Sequence, residues 1–241
     1  MTTPAEDQQA PSRLRMISWN VGGLGDQHRK IKVKELIKKE KPLILALQET
    51  KLCNNRMKLM ALNVAPAYQL LAAQGRNGGG TALLLHSSIQ IQESGFLPDG
   101  HLVLPYKKWT FLGDWNVVEL PEQSSGTRNL LEGAEEVAFR AMKLRFCITD
   151  TRYLAEEKLG PKYTRYCFYR NGEEFRWSTI DRIYVPTDWE DLQMVETSDH
   201  KANYTLSDHF PVCVDLQLGG LLRKRQSVRT YFKFDWVLMA K

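Results

Sequence analysis

Residues 43–49 read LILALQE, an almost unbroken apolar run closed by a glutamine and a glutamate. A strand with one solvated face alternates apolar and polar residues, whereas a strand covered on both faces does not. This run therefore predicts a strand inside a sheet that is covered on both sides. Upstream, RLRMISW (13–19) reads as a strand that enters the glycine-rich turn NVGGLG (20–25). Asp26 is placed to cap a helix in which Val33, Leu36 and Ile37 form one apolar stripe, and Pro42 ends it. Downstream, GGGTALLLH (78–86) and IQIQE (89–93) read as strands, with Ile89 and Ile91 alternating in the second. KWTFLGDWN (108–116) is a strand ending in polar residues, a helix spans about 132–145, and STIDRIYV (178–185) is a further strand. PVCVDLQL (211–218) alternates, with Val212, Val214, Leu216 and Leu218 on one face and Cys213, Asp215 and Gln217 on the other. Strands and helices mix with few regular crossovers, so the fold class is α/β (α+β), with sheets packed face to face and helices outside.

The 241 residues suffice for one large domain or two small ones. With 43% apolar and 25% charged residues the composition is that of a water-soluble globular protein. No apolar run reaches the roughly 18–20 residues that span a bilayer, so no membrane partner is expected. Residues 1–12 are polar and acidic, unlike a signal or transit peptide, and read as a disordered leader. Cys53, Cys147, Cys167 and Cys213 lack zinc-site spacing and read as reduced thiols. The net charge of +5 resides in residues 221–241, which hold six Lys/Arg against one Asp. The domain thus reads as 13–218, and 219–241 as a basic, aromatic tail that either contacts a polyanion through Arg223, Lys224 and Arg225 or is merely solvated.

Polar residues gather at strand ends: Asn20, Glu49, Asp114 and Asn116, Asp181 within STIDRI, and Asp208 with His209 before the last strand. One such residue alone is usually a turn former. As a set they offer two amides, several carboxylates and one imidazole, with no P-loop and no Ser or Cys nucleophile arrangement. Glu49 supplies a hard oxygen of the type Mg²⁺ prefers. Asp114 and Asn116, two apart, share a face if the segment is extended. Asp181 is placed to fix the tautomer of His209 and favour its charged form. Such a set suits phosphate-ester hydrolysis.

ISWNVGGL (17–24), LALQETKL (45–52), GGGTALLL (78–85), FLGDWN (111–116), STIDRIYV (178–185) and LSDHFPV (206–212) occur in an order that resembles the endonuclease/exonuclease/phosphatase superfamily, the DNase I-like group with exonuclease III-type AP endonucleases. PKYTRY (161–166), ITDTR (148–152) and YFKFDW (231–236) are similar to the endonuclease domains of non-LTR (LINE-type) retrotransposons. The resemblance implies a four-layer α/β sandwich, two mixed sheets flanked by helices, and Mg²⁺-dependent hydrolysis of DNA, with Mn²⁺ as substitute ion. It implies that Glu49, with Asn20 beside it and Asp208 completing the acidic cluster, holds the metal. Asp114 would activate water, Asn116 would hold the phosphate, and His209, oriented by Asp181, would contact it. His209, rather than the His200 of the earlier Ser-Asp-His (198–200), precedes the proline and the final strand as the motif requires; Asp199 and His200 read as a loop.

Relatives carry a longer stretch before FLGDWN, with a strand bearing a Tyr-x-Pro-Asn-like motif and a helix. Here that strand and helix are expected to be missing between residues 100 and 110, and Tyr106 does not replace the tyrosine. Gly22 stands where AP endonucleases tend to have Asp. The expected activity is a DNA endonuclease leaving a 3′-hydroxyl, monomeric and nuclear, with no protein partner implied. An inactive descendant that binds nucleic acid through its tail and a phosphatase for small phosphoesters are the alternatives. Trp109, Trp115 and Trp177 are read as core packing in preference to a DNA-facing rim.

Overall fold

A computed structural model describes residues 13–74, 79–89, 95–96, 102–103, 110–126, 130–153, 163–169, 174–187, 192–199 and 207–218. The first half comprises β1 (Arg13–Asn20), α1 (Gln27–Glu40), β2 (Ile44–Gln48), α2 (Asn54–Val64), β3 (Tyr68–Ala73) and β4 (Thr81–His86). Two short strands, β5 (Gly95–Phe96) and β6 (Leu102–Val103), pair with each other. Then come β7 (Phe111–Asp114), α3 (Gly133–Phe146), β8 (Ile148–Asp150) and the hairpin β9 (Arg165–Tyr169) and β10 (Glu174–Ser178). The last three strands are β11 (Asp181–Pro186), β12 (Leu192–Asp199) and β13 (Val212–Leu218).

The strand predicted from LILALQ lies inside a six-stranded sheet of order β12-β13-β1-β2-β4-β3, and all five of its residues are buried. It runs parallel to β1; the other neighbours in this sheet are antiparallel. A three-stranded sheet, β7-β11-β8, stacks on it. Three cores separate four layers. Leu45 and Leu47 face Leu36 of α1 and Met57 and Met60 of α2. Ile44, Ala46, Val212 and Val214 face Leu112, Ile183 and Val185 of the smaller sheet. Phe111 and Tyr184, on its far side, pack against Phe139 of α3. The alternation of β2 thus points Leu45 and Leu47 to one core and Ile44 and Ala46 to another, which is why its sequence shows no polar face.

Helix α1 begins as read, with the Asp26 side chain accepting from the His28 N–H at 2.8 Å. It ends at Lys41, in the left-handed conformation, one residue before Pro42. Three expectations need correction. Ile89 sits in a bend after β4, half-buried against the inter-sheet core, rather than in a strand; the rest of IQIQE lies outside the described residues. Asp199 closes β12 opposite Val212 and is not a loop residue, because β13 templates the strand up to that point. On the odd-numbered face of β13, Cys213 and Asp215 are buried as well, with Cys213 in the α1–α2 core. Trp115 packs against Phe139 and Tyr184 and is core, as expected. None of the cysteines is in a disulfide. Among the described residues no helix is long and apolar enough to cross a membrane. Residues 1–12, the 219–241 tail with Arg223, Lys224 and Arg225, His200, Tyr106, Trp109 and most of the stretch between 100 and 110 lie outside the described residues.

Candidate active site

The first element of the site is the turn after β1. Asn20 is buried, and its Oδ1 accepts from the Gly22 N–H at 3.1 Å. Gly22 has φ +58, a backbone conformation that favours glycine, and a Cβ there would press on the Arg29 Nη1 at 3.2 Å. The Asn20 amide is thereby oriented with Nδ2 between two carboxylates, 3.2 Å from Glu49 Oε1 and 3.0 Å from Asp114 Oδ2.

Glu49 follows β2 with φ 50, a left-handed conformation unusual for a residue with a side chain. The next two N–H groups explain how it is held: Thr50 donates to Gly80 O and Lys51 to Gly79 O, each at 3.0 Å. Gly79 and Gly80, just before β4, are thus the brace for Glu49. The Glu49 side chain is about half exposed (48%), and its other oxygen lies 3.3 Å from Lys51 Nζ.

Asp114 ends β7, directly opposite Asp181 at the start of β11. Two carboxylates side by side, both buried, would repel, and a third group lies between them. His209 Nδ1 is 2.9 and 3.1 Å from the two Asp181 oxygens, and its Nε2 is 3.9 Å from Asp114 Oδ2. Asp114, Asp181 and His209 each offer an atom within 4.8 Å of one another.

The charge states follow from this geometry. Burial, followed by the Asp181 charge, raises the Asp114 carboxyl to about 6, against smaller lowering effects from His209, the Asn116 N–H and Asn20. For His209 burial disfavours the charged ring, but Asp181, Asp114 and Asp208 together outweigh it and raise the imidazole to about 9. The ring is an imidazolium at neutral pH, with Nδ1–H donated to Asp181 and Nε2–H toward Asp114. The Asp181→Asn variant should bring the His209 pKa from about 9 down toward the ordinary 6.5, followed through the ring proton NMR shifts. A ring still titrating near 9 would show that Asp114 and Asp208 carry the shift instead.

The structure therefore brings together Asn20, Glu49, Asp114, Asp181 and His209. Asp208 reaches the same centre from the solvent side: its Oδ1 is 4.0 Å from His209 Nε2, while Oδ2 accepts from Arg165 Nε at 2.9 Å. Asn116 lies at the rim, but not for the reason read from its spacing. It has left the strand with φ 52, so it does not share an extended face with Asp114; its N–H donates to Asp114 Oδ1 at 2.9 Å and its side chain is exposed.

Sequence reasoning missed the residues that support these groups. Thr164 Oγ1 accepts from both the Ile180 and Asp181 N–H groups, fixing the start of β11. Ser207 donates its hydroxyl to Asn20 O at 2.7 Å and accepts from the His209 N–H at 3.1 Å, tying the two ends of the site. Trp19 Nε1 donates to His209 O at 3.1 Å. The signals were present in TRY and SDH, but a serine or threonine gives no sign of its partner 187 or 16 residues away.

A buried carboxyl raised by its surroundings and a neighbouring carboxylate, next to a charged imidazole, is a hydrolytic arrangement. The sequence profile of the endonuclease/exonuclease/phosphatase family matches residues 17–209, which include every one of these groups. The chain belongs to that family. Solved structures share its fold. A 3′ phosphatase from Neisseria bound to a product DNA hairpin superposes with a TM-score of 0.68 at 17% identity, covering 83% of this chain and 98% of that one. A 3′-5′ exonuclease from Neisseria meningitidis gives 0.69 at 18% identity, covering 85% and 100%. The AP endonuclease LMAP from Leishmania major gives 0.66 at 18% identity, covering 90% and 92%. No curated protein matches the chain.

Members of this family are typically divalent-metal dependent, and the donors here fit such an ion. Glu49 and Asp114 present carboxylate oxygens to a single amide nitrogen of Asn20, and the Glu49 side chain is open to solvent.

Proposed function

We propose that the protein is a divalent-metal-dependent DNA endonuclease that nicks a strand to leave a 3′-hydroxyl, and that it derives from a non-LTR retrotransposon. The observation that carries this reading is the convergence of Glu49, Asn20, Asp114, Asp181 and His209, from β1, β2, β7, β11 and the turn before β13, on one centre. Glu49 would hold Mg²⁺, with the Asn20 amide beside it orienting the carboxylate and Asp208 adding negative charge from the rim; the ion would supply neutralisation of phosphate charge. Asp114, buried and able to take a proton near neutral pH, orients and deprotonates the attacking water. The water oxygen bonds to phosphorus, the bond from phosphorus to the 3′-oxygen breaks, and the 3′-oxygen takes up a proton. His209 directs Nε2–H toward the space beside Asp114, where it stabilises charge developing on the phosphoryl oxygens. Asp181 keeps that ring charged and fixed in orientation. Asn116, at the rim, is the candidate to hold the phosphate.

The DNA assignment is supported by the DNA-processing enzymes that share the fold and by the basic run at Arg223, Lys224 and Arg225. Supercoiled plasmid incubated with the protein and Mg²⁺ should be converted to the nicked circle, and chelation should stop the reaction. The nicks should prime a DNA polymerase directly, since each ends in a 3′-hydroxyl. Nicking no faster than that of an Asp114→Ala protein prepared in parallel would refute the proposal. Faster turnover of a soluble phosphomonoester than of DNA would move the assignment to a phosphatase.

A further inference from the structure

We propose that Arg165 forms a second phosphate-binding subsite beside the reactive centre, taking the phosphodiester next to the one that is cleaved. Arg165 opens β9 and pairs through its backbone with His209, so it stands at the edge of the catalytic turn. Neighbouring backbone bonds hold the register: Tyr166 N–H donates to Asp208 O at 2.9 Å and Phe210 N–H to Thr164 O at 2.7 Å. Successive side chains of an extended segment point to opposite faces. The Tyr166 ring stacks on Phe210 at 5.1 Å, which sends Arg165 to the other side, toward Asp208.

There its Nε is held by Asp208 Oδ2 at 2.9 Å, with the Arg165 side chain 31% exposed. A guanidinium carries five N–H donors in a planar fork. Among the described residues neither Nη donates a hydrogen bond, which leaves four of the five donors for a ligand at the partly exposed rim. The fork is pre-oriented by the Asp208 contact, and its remaining edge has the geometry that matches two phosphate oxygens. A role limited to holding Asp208 would need one donor and could be met by lysine. A strand laid across the site with one phosphate against His209 presents the next one along the rim, in reach of a long side chain anchored beside it.

This inference rests on the DNA-hydrolase reading, and the experiment separates the two. Binding of a fluorescent DNA duplex is measured by anisotropy between 50 and 200 mM KCl, in chelator, for wild type and for Arg165→Gln, Arg165→Lys and Asp208→Asn. Each phosphate neutralised contributes roughly 0.9 to the slope of log K against log salt. Arg165→Gln should flatten the slope by about that amount, while Asp208→Asn leaves it unchanged. Arg165→Lys, the variant least able to disturb folding, should keep the slope but bind more weakly, having lost the fork. In the nicking assay Arg165→Gln should raise KM about tenfold, with kcat within a factor of about three, as for loss of uniform binding. An unchanged slope in Arg165→Gln overturns the subsite, as does equal loss of kcat in Arg165→Gln and Asp208→Asn, which marks a positioning role. A wild type that nicks DNA while the slopes coincide leaves the hydrolase intact and removes the subsite. A wild type that binds with the predicted slope difference but never nicks supports the subsite and refutes the hydrolase.

Discussion

The His209→Ala variant is expected to lose about two to three orders of magnitude in DNA nicking, the usual cost of deleting a donor aimed at developing charge. The same change in His200, which belongs to the other Ser-Asp-His, should leave nicking intact. The loss at His209 has a second, independent signature in stability. The folded ring titrates at about 9 and the unfolded one at 6.5, so the folded protein binds this proton more tightly. The stabilisation is therefore fully present below pH 6.5 and is lost as the pH rises through about 9. The shift corresponds to on the order of 3 kcal/mol, with little screening because the ring is 6% exposed. Urea unfolding of wild type and His209→Ala, in chelator, should differ most at pH 6 and least above pH 9.5. An equal difference at both pH values would mean that packing of the ring, not its ion pair with Asp181, supplies the stabilisation. Nicking by His209→Ala with loss of nicking in His200→Ala would reverse the assignment of the two tripeptides.

That assignment was legible because both the motif and the structure depend on the residues just after the histidine. Pro211 and β13 begin within three residues of His209, and β13 pairs with β1, which ends in Asn20. The elements read correctly, namely β1, α1, β2, β4, β7, α3, β11 and β13, announce themselves locally. They do so through an apolar run, a strict alternation, or an Asp cap with a helical stripe. Helix α2 does not: its N-cap, Cys53, makes no side-chain hydrogen bond, and its buried face is Met57, Met60, Ala61 and Val64. The 3–4 spacing is present there, but methionine and alanine carry a weak hydrophobic contrast. Strand β12 was hidden for another reason. Glu196, Thr197, Ser198 and Asp199 have no apolar face, and the strand exists because β13 offers an edge to pair with.

The site divides the same way. Each member could be named from its motif, but the contacts that make it chemical are long-range. Asn20 meets Asp114 across 94 positions, and His209 meets Asp181 across 28. The supporting Thr164 and Ser207 were invisible because small hydroxylated residues are common in turns. Where local spacing was used as geometry, at Asp114 and Asn116, it failed. The chain turns immediately after Asp114, and the Asn116 N–H that closes the turn is itself one of the groups lowering the Asp114 pKa.

The site also depends on a group that touches no substrate, and its removal should produce the largest stability change. Arg182 follows Asp181 on β11 and points to the opposite face of the smaller sheet, the face of Tyr184 and α3. It is fully buried and pairs with Asp150 at 2.7 Å and Glu119 at 3.5 Å. It also donates to Gln123 Oε1 at 2.7 Å and Thr179 O at 2.9 Å. Burial opposes its charge, yet Tyr184, Asp150 and Glu119 around it hold the guanidinium pKa above its ordinary value. Methionine at this position fills similar space but leaves the Asp150 carboxylate, 1% exposed, without its cation. Breaking a buried pair from one side costs about 3–5 kcal/mol, so Arg182→Met should shift the urea midpoint strongly downward. Adding Asp150→Leu should recover much of that loss, because the uncompensated charge goes with it. The consequence for the site is mechanical. Arg182 follows Asp181 directly and holds Thr179 O just before it, so loosening this segment displaces the carboxylate that orients His209. Arg182→Met should therefore show a lowered His209 pKa at temperatures where the protein is still folded. A stability loss below about 1 kcal/mol, or one that Asp150→Leu deepens rather than relieves, would mean that the network is replaceable and that β11 is held by its hydrophobic faces alone.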